Sequence, residues 1–305
     1  MTTNDAQVQD TDFTMVTLDD KAAEKIDTPK YSYWKSVART FFSNKVTIGM
    51  FVLMLVILLM AFIQPLFSGY NIMDVNSIND FGARYNWPNA KYWFGTDADG
   101  KSLFDAIWAG ARTSISIGVV ASLITTVIGV IVGAFWGNSK RFDRLMLEVY
   151  NVFSNVPTLL IIIVLSYTFG NGFWNLIFAM TVTTWLGTAY FIRVQVMLRR
   201  DREYNIASRT LGTPTKRMIF RNVLPYLTSV IVTQLSQLLP SFISYEVFLA
   251  YIGMGLSDMS LGHLIYEAEG AMLTPGWGFE FWSPVAVASI ITIVLYVVGQ
   301  NLGDA

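Results

Sequence analysis

Six long apolar runs, none containing lysine or arginine, constrain this 305-residue chain more than any other feature. They span residues 46–67, 115–136, 149–169, 173–192, 227–252 and 281–298. The hydrocarbon core of a bilayer is about 30 Å thick, which a helix of about 20 apolar residues can cross. A helix also pairs every backbone polar group within its own segment, as lipid requires. The runs therefore predict an all-α, polytopic membrane protein with six transmembrane helices.

The composition agrees with a membrane class and excludes several kinds of chemistry. Only 14% of the residues are charged, against roughly a quarter in soluble domains. The net charge is −1 without a long block of one sign, which argues against nucleic acid as a partner. The chain has no cysteine, so disulfides, thiol nucleophiles and cysteine-based metal sites are excluded.

The segment before the first run differs from the rest of the chain. Residues 1–29 are polar and acidic and predict a mobile tail. Residues 31–45 mix aromatic and basic side chains, which is typical of a helix at the membrane interface. The first run is too long for a signal peptide and is expected to stay as an anchor. Two regions follow: residues 1–45 as a tail with an interfacial helix, and residues 46–305 as the six-span domain.

The basic residues fall almost entirely on one side of the predicted membrane. Seventeen lie in the N-terminal segment and in the loops after the second and fourth runs, and four lie in the loop after the first run. Loops rich in lysine and arginine face the cytoplasm. Both termini and the long loop after the fourth run are therefore predicted to be cytoplasmic.

Residues 95–102 match the spelling of a nucleotide-binding P-loop. No buried strand precedes them, Asp97 and Asp99 would repel a polyphosphate, and the predicted topology places them outside the cell. A calcium loop would need a later bidentate glutamate that is absent at the required spacing. The preferred interpretation is an exposed turn that opens an amphipathic stretch.

The cytoplasmic loop of residues 203–225 has a helix–break–helix layout. Residues 203–211 predict a short amphipathic helix, and Gly212 suits the left-handed conformation that ends a helix. Pro214 suits the first turn of a second short helix, which is expected to end at Pro225. The loop predicts an elbow that projects from the membrane towards a partner.

Six residues of this loop resemble the EAA loop of importer-type ABC transporter permeases. They are Glu203, Ala207, Ser208, Gly212, Leu224 and Pro225. Ser208 stands where the family usually has a second alanine. The resemblance implies that the first helix is a coupling helix in a groove of a cytoplasmic ATPase. Glu203 would pair there with a basic group, and Gly212 would turn the chain away.

The resemblance extends from about Phe94 to the end of the chain and is closest to the C-type permease of oligopeptide and dipeptide importers. Segments 94–112, 246–256 and 299–304 carry it beyond the loop. It implies a type I ABC importer permease fold in a bacterial plasma membrane. The implied partners are a homologous B-type permease, two cytoplasmic ATP-binding subunits, an extracellular peptide-binding protein and the peptide substrate. It also implies a chain without catalysis or cofactor, with ATP and Mg²⁺ bound by the partner ATPases.

Two polar stripes within the predicted spans are candidates for a translocation path. At spacings of three or four residues, expected to share one helix face, the third run carries Asn151, Ser154, Asn155 and Thr158. The fifth run carries Gln234, Gln237, Ser241 and Ser244 in the same way. Such side chains either face a path or hydrogen-bond neighbouring helices, and both alternatives stay open.

Glu246 is an acid inside the fifth run, and an intramembrane acid is a candidate for function. It is expected to bond a partner helix, to sit in an external gate, or to be neutral when buried. A self-contained secondary transporter using Glu246 is the alternative function. The single histidine, His263, is expected to be solvated in an external loop. An intramembrane enzyme is not supported, since the runs hold neither a Ser/His pair nor paired aspartates.

Overall fold

The computed structural model describes residues 33–70 and 81–304, and the predicted tail of residues 1–29 lies outside them. Within these ranges the chain is helical apart from turns and one isolated β-bridge between Thr96 and Ser102, which confirms the all-α prediction. The α-helices are α1 (Tyr33–Phe41), α2 (Lys45–Ser68), α3 (Leu103–Asn138), α4 (Lys140–Ser154), α5 (Thr158–Phe169), α6 (Phe173–Arg200), α7 (Glu203–Thr210), α8 (Thr215–Met218), α9 (Thr228–Tyr251), α10 (Leu261–Glu267) and α11 (Gly278–Asp304).

Five helical segments among the described residues are long and apolar enough to cross a membrane, and the number is six if a bent pair of helices counts as one span. The five are α2, α3, α6, α9 with the short helices before it, and α11. The third predicted span, residues 149–169, is not one continuous helix. Pro157 lies in a break between α4 and α5, which meet at an 80° bend, because proline lacks a backbone donor and disfavours helix before it. The 12 residues of α5 extend about 18 Å, too short to cross alone.

The central helix of the bundle, α3, is 36 residues long. It joins the amphipathic stretch predicted for residues 102–113 to the second apolar run without interruption. Gly129, Gly133 and Gly137 recur every four residues along its contact with α6. A Cβ at Gly133 would lie 2.4 Å from the Ala189 carbonyl oxygen. Small residues at this spacing let two membrane helices approach closely, so α3 and α6 form a tightly packed pair.

A charged and aromatic cluster joins α3, α4 and α6 near one end of this pair. Arg193, which is 9% exposed, forms a two-pronged ion pair with Asp143; its Nη2 lies 3.1 Å from Oδ2. The Trp136 indole donates to the Asp143 carbonyl at 3.2 Å, and Tyr150 stacks on Tyr190 with centroids 4.2 Å apart. A buried charge is tolerated only when paired and hydrogen-bonded, and this cluster fixes α4 before the bend.

The predicted lead-in helix is present as α1 in the described residues. Val37 and Phe41 are buried, whereas Lys35 and Arg39 are exposed. Asn44 caps α2 by accepting from the Val46 backbone N–H at 2.9 Å. The position of α1 at the membrane interface stays a prediction.

The P-loop-like turn is largely buried, so the predicted exposed turn is wrong. Thr96 and Lys101 are buried, and burial raises the pKa of Asp97. The Asp97 carboxylate accepts the backbone N–H groups of Asp99 and Lys101 at 2.9 and 2.8 Å. These amides are the kind that would cradle a phosphate in a P-loop. Here these amides donate to Asp97 within the turn itself. Ser102 then caps the N-terminus of α3.

Candidate functional site

The elbow, residues 203–227, leaves the bundle directly after α6. Its first helix is α7, and the predicted helix of residues 203–211 is confirmed to within one residue. Gly212 has a φ of +80°, while a Cβ added there would meet nothing within 4 Å. The Thr213 N–H donates to the Ser208 carbonyl at 3.1 Å, which is the closing bond of a Schellman turn. The backbone conformation therefore calls for glycine at this position, and crowding plays no part.

The apolar side chains of Ile206 and Leu211, in the first half of the elbow, point away from the rest of the chain. Ile206 is 49% exposed and Leu211 85% exposed; Glu203 and Ala207 are exposed as well. The inward position is taken by Asn205, which is fully buried and donates to the Arg199 carbonyl at 2.9 Å. An exposed apolar patch on a structured helix marks an interaction surface. Sequence analysis missed Asn205. The available signal was its polar side chain next to the apolar Ile206 in a helix predicted to be amphipathic.

Two side-chain hydrogen bonds fasten α7 to other elements. Asn222 donates to the Ser208 hydroxyl at 3.0 Å, and Arg209 donates to Asn138, the last residue of α3, at 3.2 Å. Ser208 is therefore more than a small residue, because its oxygen takes part in holding α7. Asp201 lies 3.7 Å from Arg209 and adds an exposed ion pair, which contributes little by itself.

The second half of the elbow runs into α9 without a gap. The predicted end of the second helix at Pro225 is wrong: α8 is followed by a π-helical segment, Ile219–Val223, and a 3₁₀ turn, Leu224–Leu227. Pro225 is tolerated because it lies in the first turn, where its missing N–H costs nothing. Leu224 is partly buried and Pro225 exposed. Ile219 and Val223 are buried beside α3 and α6, so the elbow is continuous with the fifth span.

The polar stripe predicted on the third run does not share one helix face. Asn151 and Ser154 end α4, Asn155 lies in the break, and Thr158 begins α5. The prediction failed because the helix axis turns between them. All four side chains are exposed. Ser154 and Asn155 both donate to the Asn151 carbonyl, which satisfies backbone groups at the break.

The stripe on α9 is present, with mixed surroundings. Gln234 and Gln237 are half-buried, and Gln237 donates to Gln300 of α11 at 3.3 Å. Ser241 and Ser244 are exposed and donate to carbonyls one turn earlier in their own helix. Gln237 therefore serves helix packing, whereas the two serines present their side chains to the surroundings.

A pocket of about 300 Å³ joins part of the third-run stripe to side chains of α6 and α9. It is lined by Ser154 and Thr158 from the bend, Thr184 from α6 and Tyr245 from α9. Tyr245 follows Ser241 by four residues and so continues the α9 stripe on the same face. Sequence analysis missed Tyr245, although its spacing from Ser241 was the available signal. The pocket lining includes none of the four predicted residues of the α9 stripe.

Glu246 lies at the centre of a buried cluster at the other end of α9. It is fully buried, and its Oε2 accepts from the Ser114 hydroxyl of α3 at 2.7 Å. The Ser114 oxygen in turn accepts from the Leu261 N–H of α10 at 3.1 Å. A Cβ at Gly262 would lie 2.8 Å from Oε1. Of the alternatives predicted for Glu246, a bond to a neighbouring helix is the one observed.

The prediction that His263 is a solvated bystander is wrong. Its side chain is 21% exposed, and its Nε2 lies 3.2 Å from the Glu267 carboxylate one turn later in α10. The Glu267 hydrogen bond raises the pKa of His263. In residues 33–70 and 81–304, no three acidic or histidine side chains are grouped to hold a metal ion.

Two family models match the chain. Residues 126–305 match the model of the binding-protein-dependent transport system inner membrane component. Residues 32–88 match the N-terminal TM domain of oligopeptide transport permease C.

Named relatives align over nearly the whole length. The oligopeptide transport system permease protein AmiD of Streptococcus pneumoniae is 54% identical over 96% of this chain and 95% of its own. The oligopeptide permease protein OppC of Bacillus subtilis is 33% identical, covering 93% of this chain and 92% of its own. The dipeptide permease protein DppC of the same organism is 32% identical over 98% of this chain and 93% of its own.

A solved structure shares the fold. A chain of the inward-facing MetNI methionine ABC transporter superposes with a TM-score of 0.52 at 17% identity. The match covers 65% of this chain and 95% of that chain.

Proposed function

The chain belongs to the family of binding-protein-dependent transport system inner membrane components, and on that premise we propose that it is the permease subunit of an ATP-driven oligopeptide importer. It forms half of the path, and a homologous permease forms the other half. Two cytoplasmic ATP-binding subunits hydrolyse ATP with Mg²⁺, and an external binding protein delivers the peptide. The relatives named as oligopeptide and dipeptide permeases support this substrate class.

The observation that carries the coupling role is the outward-facing apolar surface of α7. Ile206 and Leu211 are exposed. The side chain of the buried Asn205 instead holds α7 to α6 by donating to the Arg199 backbone carbonyl. A helix that presents apolar groups away from its own bundle needs a partner to cover them. The charge distribution puts this surface on the cytoplasmic side, where an ATPase is available. Ala207 allows close contact, and Glu203 supplies a charge for pairing.

A movement of α7 has two direct routes into the membrane domain. The Asn222–Ser208 hydrogen bond leads to the π-helical segment and α9, and the Arg209–Asn138 bond leads to α3. Tyr245 of α9, which follows Ser241 by four residues, lines the polar pocket. We infer that ATP-driven closure of the partners moves α7 and thereby changes the side from which this path opens.

The engagement of Glu246 supports this function over a secondary transporter. Ion coupling needs an acid that exchanges its ion as the path opens. Glu246 is instead enclosed between α3, α9 and α10 and bonded to Ser114. Peptide uptake that persists when the proton gradient is collapsed and ATP is kept constant is expected. Uptake that stops under those conditions would favour the alternative.

Crosslinking tests the coupling surface directly, because the chain has no native cysteine. An Ala207→Cys variant, treated with a thiol-to-amine crosslinker in the intact complex, is expected to join the ATPase with a yield that changes with nucleotide. Lys140→Cys is the control, since Lys140 is exposed at the start of α4 and outside the elbow. Absence of a crosslink at Ala207 in every nucleotide state would contradict the proposal.

A further inference from the structure

A groove of about 400 Å³ lies between α1, α2, α9 and α11, away from the polar pocket. Most of its lining is aromatic or aliphatic, as shown by Val37, Phe41, Phe42, Phe51, Met54 and Leu295. Its one hydroxyl, on Ser236, already donates to the Val232 carbonyl at 2.8 Å. The volume is within the usual range for ligand pockets.

The lining selects for a ligand without polar groups. An amide or a charged group moved into apolar surroundings without a partner costs several kcal/mol. A hydrocarbon chain has no such requirement and gains dispersion contacts with the aromatic wall. That wall includes Phe41 and Phe51, whose rings meet edge to face at 5.7 Å. The groove therefore suits an alkyl chain and is unsuited to a peptide.

Three basic residues are close in sequence to groove-lining residues of α1 and to the start of α2. Lys35 and Arg39 lie one turn apart on α1, on either side of Ala38, which lines the groove. Lys45 begins α2. All three basic residues are exposed, and within the described residues none forms an ion pair with an acid. Such charges attract anionic lipid headgroups at a membrane surface.

We infer that this groove holds an acyl chain of an anionic phospholipid, whose phosphate is bound by Lys35 and Arg39. The amphipathic form of α1, with Val37 and Phe41 inward and the basic residues outward, is that of a helix at the headgroup level. The acyl chain of one lipid then lies in the apolar groove while its phosphate contacts the basic residues. The inference concerns lipid binding and does not depend on the proposed substrate.

Native mass spectrometry of the intact, delipidated complex tests the site. The complex is supplied with phosphatidylglycerol or phosphatidylcholine of the same acyl composition, and phosphatidylglycerol is expected to be retained preferentially. Ala38→Trp fills the groove and is expected to abolish retention of this lipid. Val46→Trp is the matched control, because Val46 is 63% exposed and does not line the groove.

The headgroup contacts are tested separately, through basic side chains that are exposed and contribute nothing to the core. Lys35→Gln and Arg39→Gln are each expected to lower the preference for phosphatidylglycerol about fivefold. Lys140→Gln, exposed on the same predicted side, is expected to leave it unchanged. An equal preference in Lys35→Gln, Arg39→Gln and wild type would overturn the inference.

Two further outcomes would replace the lipid by another occupant. Displacement of bound lipid by glycerol phosphate alone would show a phosphate site that does not use the groove. A crosslink from Ala38→Cys to another subunit of the complex would show that a protein segment fills it. Retention of lipid by wild type with no change in Ala38→Trp would also overturn the inference.

Discussion

The elbow and the cluster around Glu246 lie at the two ends of α9 and solve opposite problems. At the Glu246 cluster a carboxyl group is buried, and Ser114 of this chain donates a hydrogen bond to one of its oxygens. At the elbow, Ile206 and Leu211 are exposed, so apolar groups lack a cover from this chain. The comparison teaches that the Glu246 end of α9 is held by contacts within this chain, whereas the elbow presents a surface that this chain leaves exposed. Substitutions should therefore separate stability from transport.

The largest effect is expected from Gly212→Pro. Proline is restricted to a φ near −65°, whereas Gly212 has a φ of +80°, so the turn after α7 cannot form. Peptide uptake should be abolished while the protein remains inserted in the membrane, as measured by uptake of a labelled peptide and by membrane fractionation. Gly212→Asn is the control, because asparagine tolerates the left-handed region and a Cβ there meets no neighbour. Normal uptake by Gly212→Pro would show that transport does not depend on the turn after α7.

Glu246→Ala is expected to have the next largest effect, on stability. It removes the acceptor of the Ser114 hydroxyl and opens a cavity at a fully buried position. A loss of about 2–3 kcal/mol in unfolding free energy is expected, measured by denaturation in detergent. Glu246→Gln keeps an acceptor and should cost about 1 kcal/mol.

Uptake per folded Glu246→Ala molecule should be close to wild type. A large loss of uptake with unchanged stability would show that Glu246 takes part in transport, contrary to the division between the two ends.

Ala207→Trp is expected to act on the elbow alone. Ala207 is exposed, so the free chain accommodates the larger side chain, whereas a closely packed partner does not. Uptake should fall at least about thirtyfold, the scale of an interface hot spot of about 2 kcal/mol. The thermal midpoint of unfolding should not change. Lys216→Trp, exposed on α8, is the control, and an equal loss of uptake there would remove the special role of α7.

The features that were predictable from sequence are those fixed by local patterns. The apolar runs gave the spans because a bilayer demands a minimum helix length. Gly212 was assigned to a left-handed turn because few other residues adopt it. The turn residues of the loop likewise predicted the end of α7 to within one residue. Each of these requirements acts over a few neighbouring residues.

Features set by distant contacts were not predictable. Pro157 breaks its helix at the exposed bend, yet Pro240 lies buried inside an unbroken α9, so proline alone does not tell a break from a continuous span. The partner of Glu246 is 132 residues away in sequence. The burial of Thr96 and the partial burial of His263 also depend on how segments that are distant in sequence pack against each other.

The smallest expected effect concerns the pH dependence of the ion pair between His263 and Glu267 in α10. Glu267 lies 3.2 Å from His263 and raises the pKa of His263 above 6.5, and Glu246 and Asp258 act in the same direction. A raised folded-state pKa stabilises the protein fully below pH 6.5, and the contribution is lost as the pH rises through the raised value. Glu267 is 58% exposed, so the pair contributes less than about 1 kcal/mol.

Comparing wild type with Glu267→Gln isolates this contribution. The difference in thermal midpoint should be greatest near pH 5.5 and should disappear near pH 9, because neutral histidine gains nothing from the carboxylate. Glu269→Gln is the control, since Glu269 is exposed and forms no ion pair with a described residue. A difference that grows with pH would have the wrong sign for a charged pair. It would mean that the charged pair of His263 and Glu267 is not among the contacts that hold α10.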